Sequence, residues 1–494
     1  MMDGTVSLDL PVPDNILQPL LVASDATTLN EALERLIDIA KTCDGRLDLA
    51  SKCIILPVLQ LCQALLIPSC QHLILLSLQL LRNLCAGEIK NQNLFIELNG
   101  VEILSTVVTF LRQAPGSDMR APRVLLQIIG NVTLAGEYHQ DVVWNRFFPL
   151  EFEEMARLRS RGTCDPLCMV IYTCSEHDNG RFADLCTVEG LNIVIEIIRT
   201  GTAVGFTDYS LKFLLSRICV EEPRFSSIFS KLFSTDASES CDKNLSSVIH
   251  FGAEQAYLLS TISEILNERV VEIAVSADLA LCIFEILRKA IGVVDFSTRG
   301  TSSLPTGGTD IDVIGYSLTI LRDICASGDP KVSKKEKKVD VVDMLVSSGL
   351  VDLLMILLRD LEPPAMIQKA MTQNKAKAEA TSNSIRYCPY KGFRRDVVSI
   401  IGNCAYRRRR VQDKIRELDG ILLLLQQSVT DADNPFLREW GIWSIRNILE
   451  GNAENQEVVA NYELQGSVNV PEVEDMGLRV EVDPTTRRAK LVNL

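Results

Sequence analysis

Two sets of residues in this chain invite a chemical reading. One is an unbroken run of four arginines, Arg407, Arg408, Arg409 and Arg410. Guanidinium forks match carboxylate and phosphate geometry, so the run is a candidate dock for an acidic or phosphorylated segment. It also reads as a solvated turn whose cations complement the C-terminal end of a helix dipole. The other set is four asparagines inside apolar helical patterns: Asn83, Asn131, Asn403 and Asn447. Asn in a helix interior costs several tenths of a kcal/mol relative to Ala, so matched placement needs a reason. Either the amides tie neighbouring segments together through loop carbonyls, or they line a face that grips the backbone of an extended peptide. Trp443 stands one turn before Asn447 and joins this candidate partner-binding set.

Enzyme chemistry is sparse. The chain has no GxxxxGK[ST], GxSxG or HExxH motif and only four histidines, His72, His139, His177 and His250. The nearest approach to a metal set is Cys164, Cys168, Cys174 and His177. Its spacing fits no standard zinc module, and core packing is the better reading. No catalytic residue, cofactor or metal is expected.

The asparagines belong to a repeat. A glutamine follows each by nine positions, at Gln92, Gln140, Gln412 and Gln456. Gly100 and Gly420 close two units seventeen residues after the asparagine, and Gly190 stands seventeen after Thr173. Arg217 and Asp323 take the asparagine position in weaker copies. The anchors 83, 131, 173 and 217 are spaced by 48, 42 and 44 residues, and 403 and 447 by 44. A period in the low to middle forties means a helical solenoid. Within 411–449 the pattern predicts a short helix stopped by Gly420, a second short helix, a turn at 430–435, and a long helix with Ile442, Ile445 and Leu449 on one face. Such units cannot bury their apolar faces alone and must stack. The fold class is therefore all-α, an armadillo-like helical-repeat solenoid with a right-handed superhelix, ending in a small β-hairpin or extended tail over 478–494.

Composition agrees. Apolar residues make up 47% and aromatics 6% of 494 residues, a profile of helix packed on helix. Fifteen scattered cysteines with no CxxC pair suggest a reduced compartment. The acidic N-terminus has no basic leader region, and apolar stretches are broken by polar residues, so no membrane span is expected. A net charge of −14 argues against nucleic acid. The expected organisation is N-terminal repeats over 1–225, central repeats over 226–361 with flexible connectors near 234–244 and 296–310, a basic mobile loop at 362–391, and a C-terminal domain over 392–494.

Nuclear-import adaptors pair such an asparagine with a Trp one turn earlier, but here Gln79, Gln127 and Ser399 stand where Trp443 stands in the last unit. An import-like binder of basic peptides is thus the alternative reading. The C-terminal run is more specific. Gly402-Asn403, the stretch from Gln412 to Ile421, the turn from Asp433 to Trp440, and Ile445 to Asn447 together resemble the C-terminal domain of the ataxin-10 family. The resemblance implies a cytosolic armadillo-fold scaffold without catalytic activity. It also implies links to cytokinesis and signalling, association with a protein-glycosylating transferase and a G-protein β subunit, and self-association. The expected function is a non-catalytic scaffold that binds other proteins through a concave groove, and the expected place is the cytoplasm, around the nucleus or at the division apparatus.

Overall fold

The computed structural model describes residues 26–113, 120–233, 250–269, 275–327, 340–374, 386–462, 478–482 and 489–493. The architecture is the all-α helical repeat that the period predicts. Two compact units divide the chain: residues 1–294 with 307–323, and residues 295–306 with 324–494. The division crosses the expected boundaries at 225 and 361, because a segment of each unit is inserted in the sequence of the other.

Long helices carry the repeat. In the first unit they are α1 (Ala26–Ile39), α2 (Gln71–Cys85), α3 (Arg120–Thr133), α4 (Arg161–Ser175) and α5 (Tyr209–Leu215), the last running into a π-helical turn at Ser216–Glu221. Successive members of this series pack side by side. Two shorter or equal helices precede most of them, as Ile89–Glu97 and Gly100–Gln113 precede α3. The stretch between 250 and 294, where the repeat pattern is faint in the sequence, holds two 17-residue helices, Ala253–Arg269 and Ala277–Val293.

α2 shows why the helices stack. Leu73, Ile74, Leu78, Leu80, Leu81 and Leu84 are all buried, so both flanks need cover. Full burial of one such side chain is worth about 1.5–3 kcal/mol. One stripe, His72, Gln79, Arg82 and Asn83, stays at least partly open. Those positions recur at helical spacing and form the inner face of the unit.

In the second unit α6 (Phe393–Ala405) packs on α7 (Leu437–Leu449), with Arg409–Glu417 and Gly420–Leu425 between them. Gly420 does not stop a helix; it opens one. Asp419 before it holds the left-handed conformation at φ 53°. A side chain at Gly420 would meet Met355 and Ile415, 2.5 and 2.9 Å from an ideal Cβ. Gly100 is pressed in the same way against Phe95, after a left-handed Asn99. The repeated glycine therefore answers a close approach, while Asn and Asp supply the positive φ.

The segment expected as a flexible connector at 296–310 is tied down. Tyr387 N–H donates to the Phe296 carbonyl, Gly300 N–H to Cys388, and Lys391 N–H to Ser302, at 2.8–2.9 Å. Phe296 is buried against Phe393. Of the expected mobile loop at 362–391, residues Ala365–Asn374 form a helix, Glu362 N–H donates to the Arg386 carbonyl at 2.9 Å, and 386–391 are held by those bonds; residues 375–385, and the connector near 234–244, lie outside the described residues. The tail forms the expected antiparallel hairpin, β1 (Leu478–Val482) on β2 (Ala489–Asn493), with Val480 opposite Leu491.

Candidate functional site

Three of the four asparagines are spent on the backbone of the preceding repeat. Asn83 Nδ2 donates to the Ile37 carbonyl at 3.3 Å, Asn131 Nδ2 to Arg82 at 2.9 Å, and Asn447 Nδ2 to Gly402 at 3.0 Å. Arg82 and Gly402 each stand one residue before the asparagine of their own repeat, so the bond has a fixed register. In the weaker copy Arg217 does the same job with its guanidinium, which donates to the Ser175 carbonyl and lies 4.0 Å from the centre of the Phe182 ring.

The glutamines complete the clamp. Each Nε2 reaches a carbonyl seven residues back at the end of its own long helix: Gln92 to Cys85, Gln140 to Thr133, Gln412 to Ala405 and Gln456 to Leu449. Those carbonyls are among the last four of a helix and have no intrahelical partner. Gln92 also donates forward to the Asn131 carbonyl at 2.8 Å, and Gln412 forward to Asn447 at 2.9 Å.

Burial and these bonds favour amides that tie neighbouring repeats together over amides that grip a peptide. Asn403 and Asn447 are 7% and 1% exposed, so no extended segment reaches them in the packed repeat. Asn83 and Asn131 are half-buried with their amides engaged. Trp443 is different: it is 45% exposed, and the Arg446 guanidinium lies 4.7 Å from its ring centre. An internal arginine thus occupies the place that a cargo lysine would take.

The arginine run splits by direction. Consecutive residues of a turn or helix point about 100° apart, so four neighbours cannot share one surface. Arg408 is 5% exposed and pairs with both oxygens of Asp340, at 3.0 and 2.9 Å. Asp340 in turn caps the helix Val341–Ser347 by accepting from the Val342 and Asp343 N–H groups. Arg409 donates to Asp413, to the Gly451 carbonyl and to Glu454. Arg407, at φ 54°, lies 4.8 Å from the Tyr406 ring centre and is exposed, as is Arg410. Arg408 is therefore an internal strut, whereas Arg409 is exposed but engaged by Asp413 and Glu454, beside the exposed Arg407 and Arg410. Arg394, in the first turn of α6, is 2% exposed and donates to Gln427 and the Glu362 carbonyl. Asn434 of the Asp433-Asn434-Pro435 turn accepts from the Arg394 N–H at 3.0 Å, satisfying an open donor at the start of α6.

Cys164, Cys168 and Cys174 are buried, whereas His177 is exposed beside Glu176. The Cys164 contact and burial hold the Cys168 thiol well above its ordinary value, so these sulfurs behave as apolar core groups. Among the described residues no group of three His, Cys, Asp or Glu side chains is placed to hold a metal ion. Among them, too, no single helix is long and apolar enough to cross a membrane.

The sequence reading did not single out a cleft of about 440 Å³ on the inner face of the first unit. Arg123, Gln127, Arg161, Asp165, Met169, Phe206 and Asp208 are among its lining residues. Gln127 and Met169 stand one turn before the anchors Asn131 and Thr173. The repeat register could have located the cleft, because it fixes which side chains face inward.

Fold and site together define a helical-repeat protein whose signature amides lock repeat to repeat and whose open stripes are left for other molecules. Residues 393–491 match the profile of the spinocerebellar ataxia type 10 protein domain. Ataxin-10 from Bos taurus is 22% identical over 81% of this chain and 78% of its own length. Ataxin-10 from Homo sapiens is 23% identical over 81% of this chain and 78% of its own length. The ataxin-10 homolog of Dictyostelium discoideum is 41% identical over 19% of this chain and 15% of its own. A solved chain from work on a phosphorylation switch between cadherin and β-catenin aligns at TM-score 0.38 and 13% identity, over 88% of this chain and 75% of that one. The chain is thus similar to ataxin-10 proteins over most of its length, and the domain match falls on the segment where the C-terminal motifs led us to expect it.

Proposed function

We propose that this protein is a scaffold that holds protein partners on the open stripes of its long helices, in the regulation of cell division or in signalling. One observation carries the reading: the stripes expose large side chains that the core does not need. In the first unit Tyr209 is 71% and Phe213 39% exposed, both on α5 at the inner-face positions preceding Arg217. Solvent-facing aromatics on a rigid element are typical anchors of protein interfaces. The cell-division and signalling role, and a cytoplasmic place of action, rest on the family resemblance, and the buried free thiols are compatible with a reduced compartment.

Affinity capture from cell extract with mass spectrometry tests this. The wild-type chain is compared with Y209A/F213A and with R407E/R410E, each checked by circular dichroism. Loss of specific partners from the aromatic variant supports the reading. An identical partner set across all three folded proteins removes both the stripe and the arginine turn as docking surfaces.

A second reading is self-association through the second unit. Phe436, which precedes α7, and Ile442 and Trp443 on α7 expose 67%, 54% and 45% of their surface. Light scattering across a concentration series, with W443A/I442S as comparison, reads it out; a concentration-independent monomer mass eliminates it.

A further inference from the structure

Two helices of the first unit hold the same place in their repeats. Val188–Val204 is the last helix before α5, and Ala277–Val293 the last before the long helix Thr309–Ser327. Their sequences align without a gap: Thr187 to Arg199 reads TVEGLNIVIEIIR, and Ser276 to Arg288 reads SADLALCIFEILR. Both helices are 17 residues long and both are capped by a hydroxyl, Thr187 accepting from the Gly190 N–H and Ser276 from the Leu279 N–H. Both carry a Glu–Arg pair one turn apart, Glu196 with Arg199 at 2.6 Å and Glu285 with Arg288 at 3.2 Å. Yet the same face is covered in one helix and open in the other. On Val188–Val204 the side chains of Ile193, Glu196, Ile197 and Thr200 are all buried. At the matching positions of Ala277–Val293, Ile286 is buried, Cys282 is half-buried, and Glu285 and Lys289 are exposed. The Glu196 side chain is 10% exposed, that of Glu285 51%.

The cover on Val188–Val204 comes from the preceding repeat. The helix Leu150–Ala156 packs on it, with Phe152, Met155 and Ala156 buried. The Thr200 hydroxyl donates to the Ala156 carbonyl at 2.6 Å, at the end of that helix, where carbonyls have no intrahelical partner. Arg159, just beyond it, donates to Thr200 and Glu196 at 2.8 and 2.6 Å. Ahead of Ala277–Val293 the described residues hold Phe225–Lys231 and Ala253–Arg269, with no helix between them among those residues. A groove of about 1060 Å³ lies there instead, and Phe229, Phe233, Phe251, Leu281, Ile286 and Val293 are among its lining residues. From Leu281 to Val293 the lining follows one stripe of the helix, about 18 Å long at 1.5 Å per residue. The charged lining residues, Glu285 and Lys289, cancel, so selection falls to apolar shape. Lys289 stands where Thr200 stands and supplies a donor at the same place.

We propose that this groove docks a short amphipathic helix of a partner protein, seated as Leu150–Ala156 is seated on Val188–Val204. Its apolar face carries an aromatic or long aliphatic side chain at i and at i+3 and a small one at i+4, the pattern of Phe152, Met155 and Ala156. Its last carbonyls face the Lys289 ammonium, a cation at the negative end of the helix dipole. The covered copy of the same face is what selects a helix over a lipid or a free apolar molecule. The inference rests on the scaffold reading above and adds a docking surface away from the stripes of the long helices.

The test is selection of a displayed library of short amphipathic helices, randomised at i, i+3 and i+4, on the full chain, with the affinities of the selected peptides read by fluorescence anisotropy. The wild-type chain should enrich large apolar residues at i and i+3 and Ala, Ser or Gly at i+4. F233S/L281S, two changes at positions open to solvent, should weaken binding by about tenfold while keeping the helical spectrum and melting temperature. K289M, which keeps the aliphatic stem, should weaken it by about two- to fivefold. No enrichment by the wild-type chain, or affinity unchanged in F233S/L281S, overturns the site. Enrichment only after residues 235–248 are replaced by a Gly/Ser linker of equal length assigns the groove to the chain's own segment and overturns the partner helix. A mass that doubles with concentration in light scattering, and does so no longer in F233S/L281S, assigns it to a second copy and overturns it as well. Partner capture is scored separately: if proteins are still captured through Tyr209 and Phe213 while the library selects nothing, the groove fails and the scaffold stands.

Discussion

Asn447 has almost no contact with solvent, and its amide has a single protein acceptor, the Gly402 carbonyl. Removing the side chain strands that carbonyl and opens a small void. N447A should lose about 1–3 kcal/mol in urea unfolding, and N83A, half-buried with a longer 3.3 Å bond, distinctly less. Arg408 and Asp340 permit a cleaner separation of charge from shape. D340N keeps a capping side chain on Val341–Ser347 but removes the buried Arg408's closest carboxylate, leaving the exposed Asp343 at 3.4 Å. The cost should be about 1–3 kcal/mol, and R408M in the D340N background should restore part of it, because a buried charge that loses its main partner costs more than an apolar replacement. Asp165 offers a proton-linked readout. Its folded carboxyl binds the proton more tightly than the unfolded chain does, so its contribution to stability declines as pH rises through the folded midpoint. Its carboxyl carbon in NMR should titrate above the ordinary aspartate midpoint of about 3.9. A midpoint at or below that value would contradict the burial and the nearby Asp208 charge that raise it.

At the scale of elements, glycine governs how closely the long helices approach. An ideal Cβ on Gly402 of α6 would fall 2.3 Å from Ser444 Oγ and 3.0 Å from its Cα on α7. G402A should cost about 1–3 kcal/mol by overpacking, and hydrogen exchange should accelerate first in 437–449. The helices and their period were legible because each long helix buries the same faces, so the apolar spacing repeats with the fold. The asparagine positions were equally legible, but their role was not. A side-chain amide donates in the same way to a neighbouring repeat or to a bound peptide, and only burial at Asn403 and Asn447 decides between them. The arginine run misled for a geometric reason. Four adjacent letters look like one patch, whereas the turn sends Arg408 inward to Asp340 and Arg409 toward Glu454. The cleft escaped notice because Arg123 and Arg161 lie 38 residues apart in sequence and come together only across stacked helices.

At the scale of the whole molecule, the two compact units do not follow the linear order of the chain. Residues 307–323 complete the first unit, burying Val313, Ile314, Leu318, Ile320 and Leu321. A fragment spanning 26–327 should therefore melt cooperatively with a strong helical signal. A fragment ending at 294 should melt lower and more broadly, since it lacks those apolar side chains; equal melting of the two would show that the last helix adds nothing. The interleaving was invisible in the sequence, where 296–310 has the Gly, Ser and Thr content of a linker. Its order comes from backbone bonds to 386–391, which no composition reveals.

The amide clamp also bears on how such a chain can change over generations. Where Asn donates backward and Gln donates forward, every repeat offers its neighbours the same plug and the same socket. Duplication or loss of a whole repeat then requires no new chemistry at the junction. Arg217 and the Arg408–Asp340 pair break that interchangeability, because each fits only the neighbour it has. Length variation among descendants of such a chain should accumulate between uniform junctions and stop at these two, which act as fixed landmarks in an otherwise extensible array.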